Sequence, residues 1–297
     1  MGIEQWITLP GPGKHIVLIS GDEEYRSEEA LPMLAQVLAK HHGFKCTVLF
    51  AIDPATGLVD PNCQTNIPGM HLLDTADMVV LFVRFRELPD ADMAHFVRYV
   101  EAGKPLLGIR TSTHAFRYSR NPASPFARYS CNQPDGGFGR QVLGEKWVGH
   151  HGKHRVESTR AVPRPTGHPI LRGVGNIWGP TDVYAVNPPP DVEVLVDGHV
   201  LTGMNPADPV KPNTPTMPVA WIRELKGARV FCSTMGAATD LRDRSLRRLL
   251  VNGIYWCLGM ENQIDPHRSV DPVGSYNPTD YGLRKEPTGK RPAEFFQ

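Results

Sequence analysis

The sequence carries almost no net charge: 32 basic and 31 acidic side chains leave +1 with histidine neutral. A nucleic-acid partner, which calls for a basic excess or stripe, is not expected. Long apolar runs are missing too. The longest, Met78 to Val83, has six residues, against the roughly 18 of a membrane span, so no membrane partner is expected. Residues 1–14 lack a basic-then-apolar signal pattern. The chain reads as cytoplasmic, or as periplasmic or secreted if a leader has been removed. Cysteine is scarce: the five residues are scattered, odd in number and form no CxxC pair. A disulfide framework and an all-cysteine zinc site are therefore disfavoured. Cys46, Cys232 and Cys257 sit among apolar residues and read as small buried hydrophobes. Signatures for phosphate loops (GxxxxGK[ST]), dinucleotides (GxGxxG after the first strand), zincins (HExxH) and esterases (GxSxG) are absent.

What is present is a core and many loops. Hydrophobic residues make up 40% of the chain, enough for one large or two small folded units. Gly and Pro, 28 of each, exceed their usual share, and long ordered loops on a rigid scaffold usually carry function. Residues 14–20 form a short β-branched run that predicts a buried strand. Leu31, Leu34, Ala35 and Leu38 then recur at helical spacing. Ser27, Glu28 and Glu29 suit the helix start, although Pro32 pulls the expected start towards itself. Gly43 ends the helix. Strands are predicted at 45–50, 77–83 and 106–109, with a helix through Met93, Phe96, Val97 and Val100. Residues 117–179 are polar and show little periodicity. Strands return near 182–186, 192–196, 218–222 and 228–234, and a last helix spans 245–258.

This order predicts a doubly wound α/β sheet whose ligand site lies at the carboxyl ends of its strands. Residues 1–13 read as an N-terminal extension, 14–259 as the domain and 260–297 as a Pro-rich tail. The tail is expected to have almost no regular structure. Tyr276, Tyr281, Phe295 and Phe296 would anchor it to its own domain or to a neighbouring subunit, the second case making a homo-oligomer.

The strand-end loops supply the candidate site. The first holds Glu23, Glu24, Tyr25 and Arg26: sugar-binding or basic carboxylates, or a solvated helix cap. Arg84 ends a buried strand, so it either pairs with Asp22, Glu23 or Glu24 or binds an anionic or carbonyl oxygen. Arg110 follows the fourth strand, at the turn where a related architecture carries a nucleophilic Cys or Ser, a role Arg cannot play. Thr113 and His114 follow it. His114 is the candidate acid/base, since imidazole titrates near neutrality. His150, His151 and His154 cluster between Gly149 and His154, as a polar pocket wall, metal ligands or a chance surface group. Asp182 and Tyr184 share one face of a strand. Met235 and Gly236 form a further strand-end loop, or a simple turn.

Leu107-Gly-Ile-Arg-Thr-Ser-Thr-His-Ala-Phe116, Gly149-His-His151, His168-Pro-Ile170 before Asp182-Val-Tyr184, and Pro218-Val-Ala-Trp221 leading through Arg229-Val-Phe231 to Thr234-Met-Gly236 together resemble ThuA-like (trehalose utilisation) proteins over about residues 14–259. The resemblance implies a three-layer, flavodoxin-like sheet, similar to class I glutamine amidotransferases without their catalytic Cys. It implies a carbohydrate partner, oxidised (keto) sugars included. Arg110 stands where many members have His, and Ala237 where a His often follows the Gly. Both changes remove candidate metal ligands, so no cofactor is expected, a divalent metal being the alternative.

The resulting expectation is an enzyme that moves a proton beside a sugar carbonyl, with His114, His151 and Asp182 as the catalytic group. Arg84 or Arg110 would steady the oxyanion. Glu23, Glu24, Tyr25, Arg26, Thr113, His150, His154, Met235 and Gly236 would bind substrate. A non-catalytic sugar- or partner-binding protein and a metal-dependent hydrolase are the rival readings.

Overall fold

Six successive residues, Met78 to Val83, are buried, which requires a strand covered on both faces. In the computed structural model, which describes residues 4–296, that strand lies near the middle of a ten-stranded sheet. Met1 to Ile3 of the expected N-terminal extension, and Gln297 of the tail, lie outside the described residues.

The strands are β1 (Trp6–Leu9), β2 (His15–Gly21), β3 (Lys45–Phe50), β4 (Met78–Val83), β5 (Leu106–Ile109), β6 (Gly149–His151), β7 (Thr159–Pro163), β8 (Ile177–Gly179), β9 (Val183–Ala185), β10 (Glu193–Val200), β11 (Met217–Leu225) and β12 (Ala228–Ser233). The helices are α1 (Ser27–His42), α2 (Asp90–Glu101) and α3 (Arg244–Cys257). The sheet order is β1-β3-β2-β4-β5-β12-β11-β10-β7-β8, and β6 pairs with β9 in a separate ribbon. Strands β3, β2, β4, β5 and β12 run parallel; the others join antiparallel.

Side-chain parity builds the three layers. Ile16, Leu18, Val80 and Phe82 face the layer of α1 and α3, while Val17, Ile19, Val79 and Leu81 face α2. A one-residue slip of β2 would exchange the two sets, and each such side chain contributes about 1.5–3 kcal/mol by burial. The flavodoxin-like architecture implied by the sequence is the architecture observed.

Four strands escaped the sequence pattern. β1 pairs with β3, so part of the expected N-terminal extension is an edge of the sheet. β6, β7 and β8 lie in the stretch without periodicity; each has only three to five residues, too few to show a period. The start of α1 does not slip towards Pro32. The helix begins at Ser27 and contains Pro32, because the burial of Leu31, Leu34 and Leu38 outweighs the one hydrogen bond that proline removes.

Among the described residues the tail forms two short 3-10 turns, Glu261–Gln263 and Pro292–Phe296, and one isolated bridge from Lys290 to Val59. Its aromatic residues dock on their own domain: Phe295 stacks on Phe50 at 5.8 Å, and the Tyr276 hydroxyl donates to Ala238 O at 2.8 Å. Among the described residues no helix is long and apolar enough to cross a membrane.

Candidate functional site

The loops after β2, β4 and β5 meet at one end of the parallel strands, where the doubly wound topology places a crevice. Asp22 fixes the first of these loops. Its carboxylate accepts from the Glu24 N–H at 2.8 Å, from the Tyr25 N–H and from Thr111 Oγ1 at 2.5 Å. The loop is thereby tied to the single turn Arg110–His114 that follows β5.

A cavity of about 220 Å³ opens there. Tyr25, Phe85, Trp147 and Tyr184 form its aromatic walls, and Glu24, Arg84, His114, His150 and His154 are its polar lining. Arg84 pairs with Glu23 and, at 3.5 Å, with Glu24, as the ion-pair reading of the buried strand end required. Glu23 is shared with the fully buried Arg86 at 2.6 Å. Arg84 Nε has no acceptor among the described residues, so its guanidinium keeps an unmet donor.

Arg110 lies beneath the cavity. It has φ +43°, a left-handed conformation that non-glycine residues rarely hold without reason. Its guanidinium lies between the rings of Tyr25, at 3.9 Å, and Tyr184, at 4.7 Å. It donates to Thr234 O at 2.9 Å and to the Asp182 carboxylate. Burial alone would raise the Asp182 carboxyl, but Arg110 and His154 hold it down at about 2. Asp182 in turn accepts from His154 Nε2 at 3.1 Å and lies 3.5 Å from His150 Nδ1. The hydrogen bond to Asp182 lifts the His154 imidazole above its ordinary value, against its partial burial. Burial and the nearby Arg84 and Arg110 drive His114 well below its own.

Several expected roles change. Arg110 and Asp182 are beneath the cavity, not on its wall, so Arg110 does not reach a substrate oxyanion; its charge is spent on Asp182. Strand parity in β6 points His150 to the cavity and leaves His151, paired with Val183, outside its lining. His114 lines the cavity, but its depressed basicity suits a neutral hydrogen-bonding group, not the acid/base. Glu23 serves the two arginines. Arg26 binds the tail, through Thr279 Oγ1 at 3.2 Å and Gly282 O at 2.8 Å. Thr113 donates to Arg110 O at 3.2 Å. Met235 is buried, and the Gly236 N–H donates to Asp240 at 3.1 Å.

Glu24, Tyr25, Arg84, His114, His150 and His154 come together as expected. Phe85 and Trp147 were missed: Phe85 has a left-handed φ of 51°, which sequence does not signal, and Trp147 stands in the aperiodic stretch. Ligand atoms of His150, His154 and Asp182 lie within 4.8 Å of one another, so this trio is where a divalent ion would be held.

A family model described as trehalose utilisation, ThuA, matches residues 16–257. Among solved structures, a ThuA-like protein from Parabacteroides merdae superposes with a TM-score of 0.56 at 13% identity, covering 96% of this chain and 99% of that one. A second, from Bacteroides uniformis, gives 0.51 at 15% identity over 86% and 96%. These likenesses concern the fold. Among curated proteins, none matches the sequence.

Proposed function

Since the chain belongs to the ThuA family of trehalose utilisation, whose role is carbohydrate-related, we propose that it is an enzyme that binds one ring of a sugar or keto-sugar glycoside and moves a proton beside a ring carbonyl. The observation that carries this reading is the convergence in one small cavity of four aromatic walls with His154, which Asp182 holds from beneath. A pyranose presents apolar C–H faces that aromatic rings cover, and hydroxyls that need charged or neutral partners. At about 220 Å³ the cavity suits a single ring, since drug-sized ligands fill about 300–1,000 Å³.

His154 is the base. Its Nε2–H is held by Asp182, which leaves Nδ1 to accept a proton, and Asp182 steadies the imidazolium that forms. The electron pair of the broken C–H bond moves onto the carbonyl oxygen. Arg84 and neutral His114 are the groups on the wall for that oxygen. Isomerisation and elimination both begin with this step, and in an oxidised sugar an elimination that expels the glycosidic oxygen cleaves the glycoside.

The test is to incubate the protein with oxidised and unoxidised disaccharides in D2O. Deuterium should enter beside the carbonyl of an oxidised sugar, and Trp147 fluorescence should titrate with it. Binding without exchange would favour a sugar-binding module; neither would end the reading.

The metal-dependent hydrolase is favoured only by the His150–His154–Asp182 trio. A fixed guanidinium already neutralises Asp182 and would repel a dication beside it. We therefore expect elemental analysis of purified protein to find less than about 0.1 transition metal per chain, and chelator treatment to leave deuterium exchange unchanged. About one tightly held zinc per chain, as at an ordinary protein site, would reverse this assignment.

A further inference from the structure

We propose that the tail segment Thr279–Gly282 is a working part of the site and that Tyr281 is a positioning residue for His154 and Tyr25. The Tyr281 ring stacks on Tyr25 at 5.7 Å and 22° and meets the edge of the His154 ring at 5.9 Å and 86°. Its hydroxyl donates to Pro180 O at 3.0 Å, two residues before Asp182, and accepts from the Arg155 N–H at 3.1 Å, one residue after His154. One buried side chain thus touches three separate chain segments, and each carries a residue of the Tyr25–His154–Asp182 group.

Backbone contacts hold Tyr281 in place. The Gly282 N–H donates to Glu24 O at 2.7 Å, and Arg26 Nη2 donates to Gly282 O at 2.8 Å. Glu29 accepts from Thr279 N at 2.7 Å. Gly282 has φ +129°, a backbone conformation that L side chains rarely adopt, so the turn that brings tail to loop favours glycine. His154 needs this support: it lies in a turn outside any strand or helix, where its ring would otherwise be free to leave Asp182. A passive anchor looks different. Tyr276 also packs against the core, but among the described residues its hydroxyl bonds only to Ala238 O.

The experiment compares Tyr281→Leu, Tyr281→Phe and Tyr276→Leu in the full chain. Leucine keeps the apolar volume but loses the ring and the hydroxyl. Three quantities are read: melting temperature, affinity for the oxidised disaccharide, and the ring-nitrogen NMR shifts of His154. We expect Tyr281→Leu to weaken sugar binding by about tenfold or more, since small misplacements of a site group cost this much, and to erase the shift pattern of an Nε2–H hydrogen-bonded to Asp182. Tyr281→Phe keeps the ring contacts but loses the hydroxyl bonds to Pro180 O and from the Arg155 N–H, so it should fall between Tyr281→Leu and the original protein in both. Tyr276→Leu should lower the melting temperature while leaving both unchanged. An unaltered His154 pattern in Tyr281→Leu, or an equal loss in Tyr276→Leu, overturns the proposal. The affinity arm rests on the sugar reading above, and the His154 shifts do not. If no variant nor the original protein binds sugar, that reading fails, while the shifts still decide the role of Tyr281.

Discussion

Asp182→Ala should cost about 3–5 kcal/mol of stability, among the largest single losses available in this protein. The loss comes from what is left behind: the Arg110 guanidinium, fully buried, held between two tyrosines and no longer neutralised. The double variant Arg110→Met, Asp182→Leu should recover most of the loss, because an apolar pair of similar volume removes both charges together. It should not bind sugar. Urea melts of the single and double variants measure the difference. The same pair gives a pH signature. Asp182 is held at about 2, below its unfolded value of about 3.9. Its contribution is therefore complete above about pH 4 and fades as the pH falls towards 2. The Asp182→Ala protein should lack that step in its acid unfolding curve. Equal stability of the single variant and the original protein would show that Asp182 does not compensate Arg110.

His154→Gln should reduce deuterium exchange by about 10²- to 10⁴-fold, the usual worth of a positioned general base. It should hardly change the melting temperature, because the side chain is partly exposed at the cavity mouth. The pH profile separates this from a packing effect. The base works when neutral, and Asp182 lifts its imidazole above the ordinary value of about 6.5. Exchange should therefore rise with pH through a limb placed above 6.5. The groups that set this limb are Asp182, which raises it most, then Arg110, which lowers it, and Glu24, which raises it, with His150 stacked alongside at 5.1 Å. In stability the sign is opposite: the raised His154 adds stability below about pH 6.5 and loses it as the pH climbs through its folded value. His154→Gln should lose the limb. His114→Gln should keep it with a lower plateau, since His114 is neutral throughout that range. A limb that survives in His154→Gln assigns the base elsewhere.

Much of this arrangement could be read from the chain. The five parallel strands show themselves through their apolar runs, and their carboxyl ends bring Glu24, Arg84 and His114 into one place without any coordinates. The histidine cluster also announces itself. What spacing did not reveal is which member faces the cavity. His150 and His151 are neighbours on a strand, and only the pairing of β6 with β9 decides between them. Arg110 was legible as a departure from a nucleophile turn, but its partner was not. Asp182 reaches it from the position just before β9 of the separate two-stranded ribbon, and no local signal encodes that meeting. Phe85 and Trp147 were hidden for a different reason: an aromatic residue in an irregular loop looks alike whether it lines a pocket or caps a core.

The clasp between Arg26 and Gly282 joins positions 256 apart in the chain. Contacts of such sequence separation have a high loop-closure entropy and tend to form after the local ones. The parallel strands can pair and bury α1 before Tyr281 arrives, so the cavity should be among the last features to mature in folding. By the same reasoning it should be among the first to open, through partial unfolding that peels residues 279–296 from an intact sheet. A bound sugar, by holding Tyr25 and His154 in register with Tyr281, would oppose that opening. The exposed Leu283 would then mark where a protease first cuts, and occupancy of a cavity several residues away would set how fast.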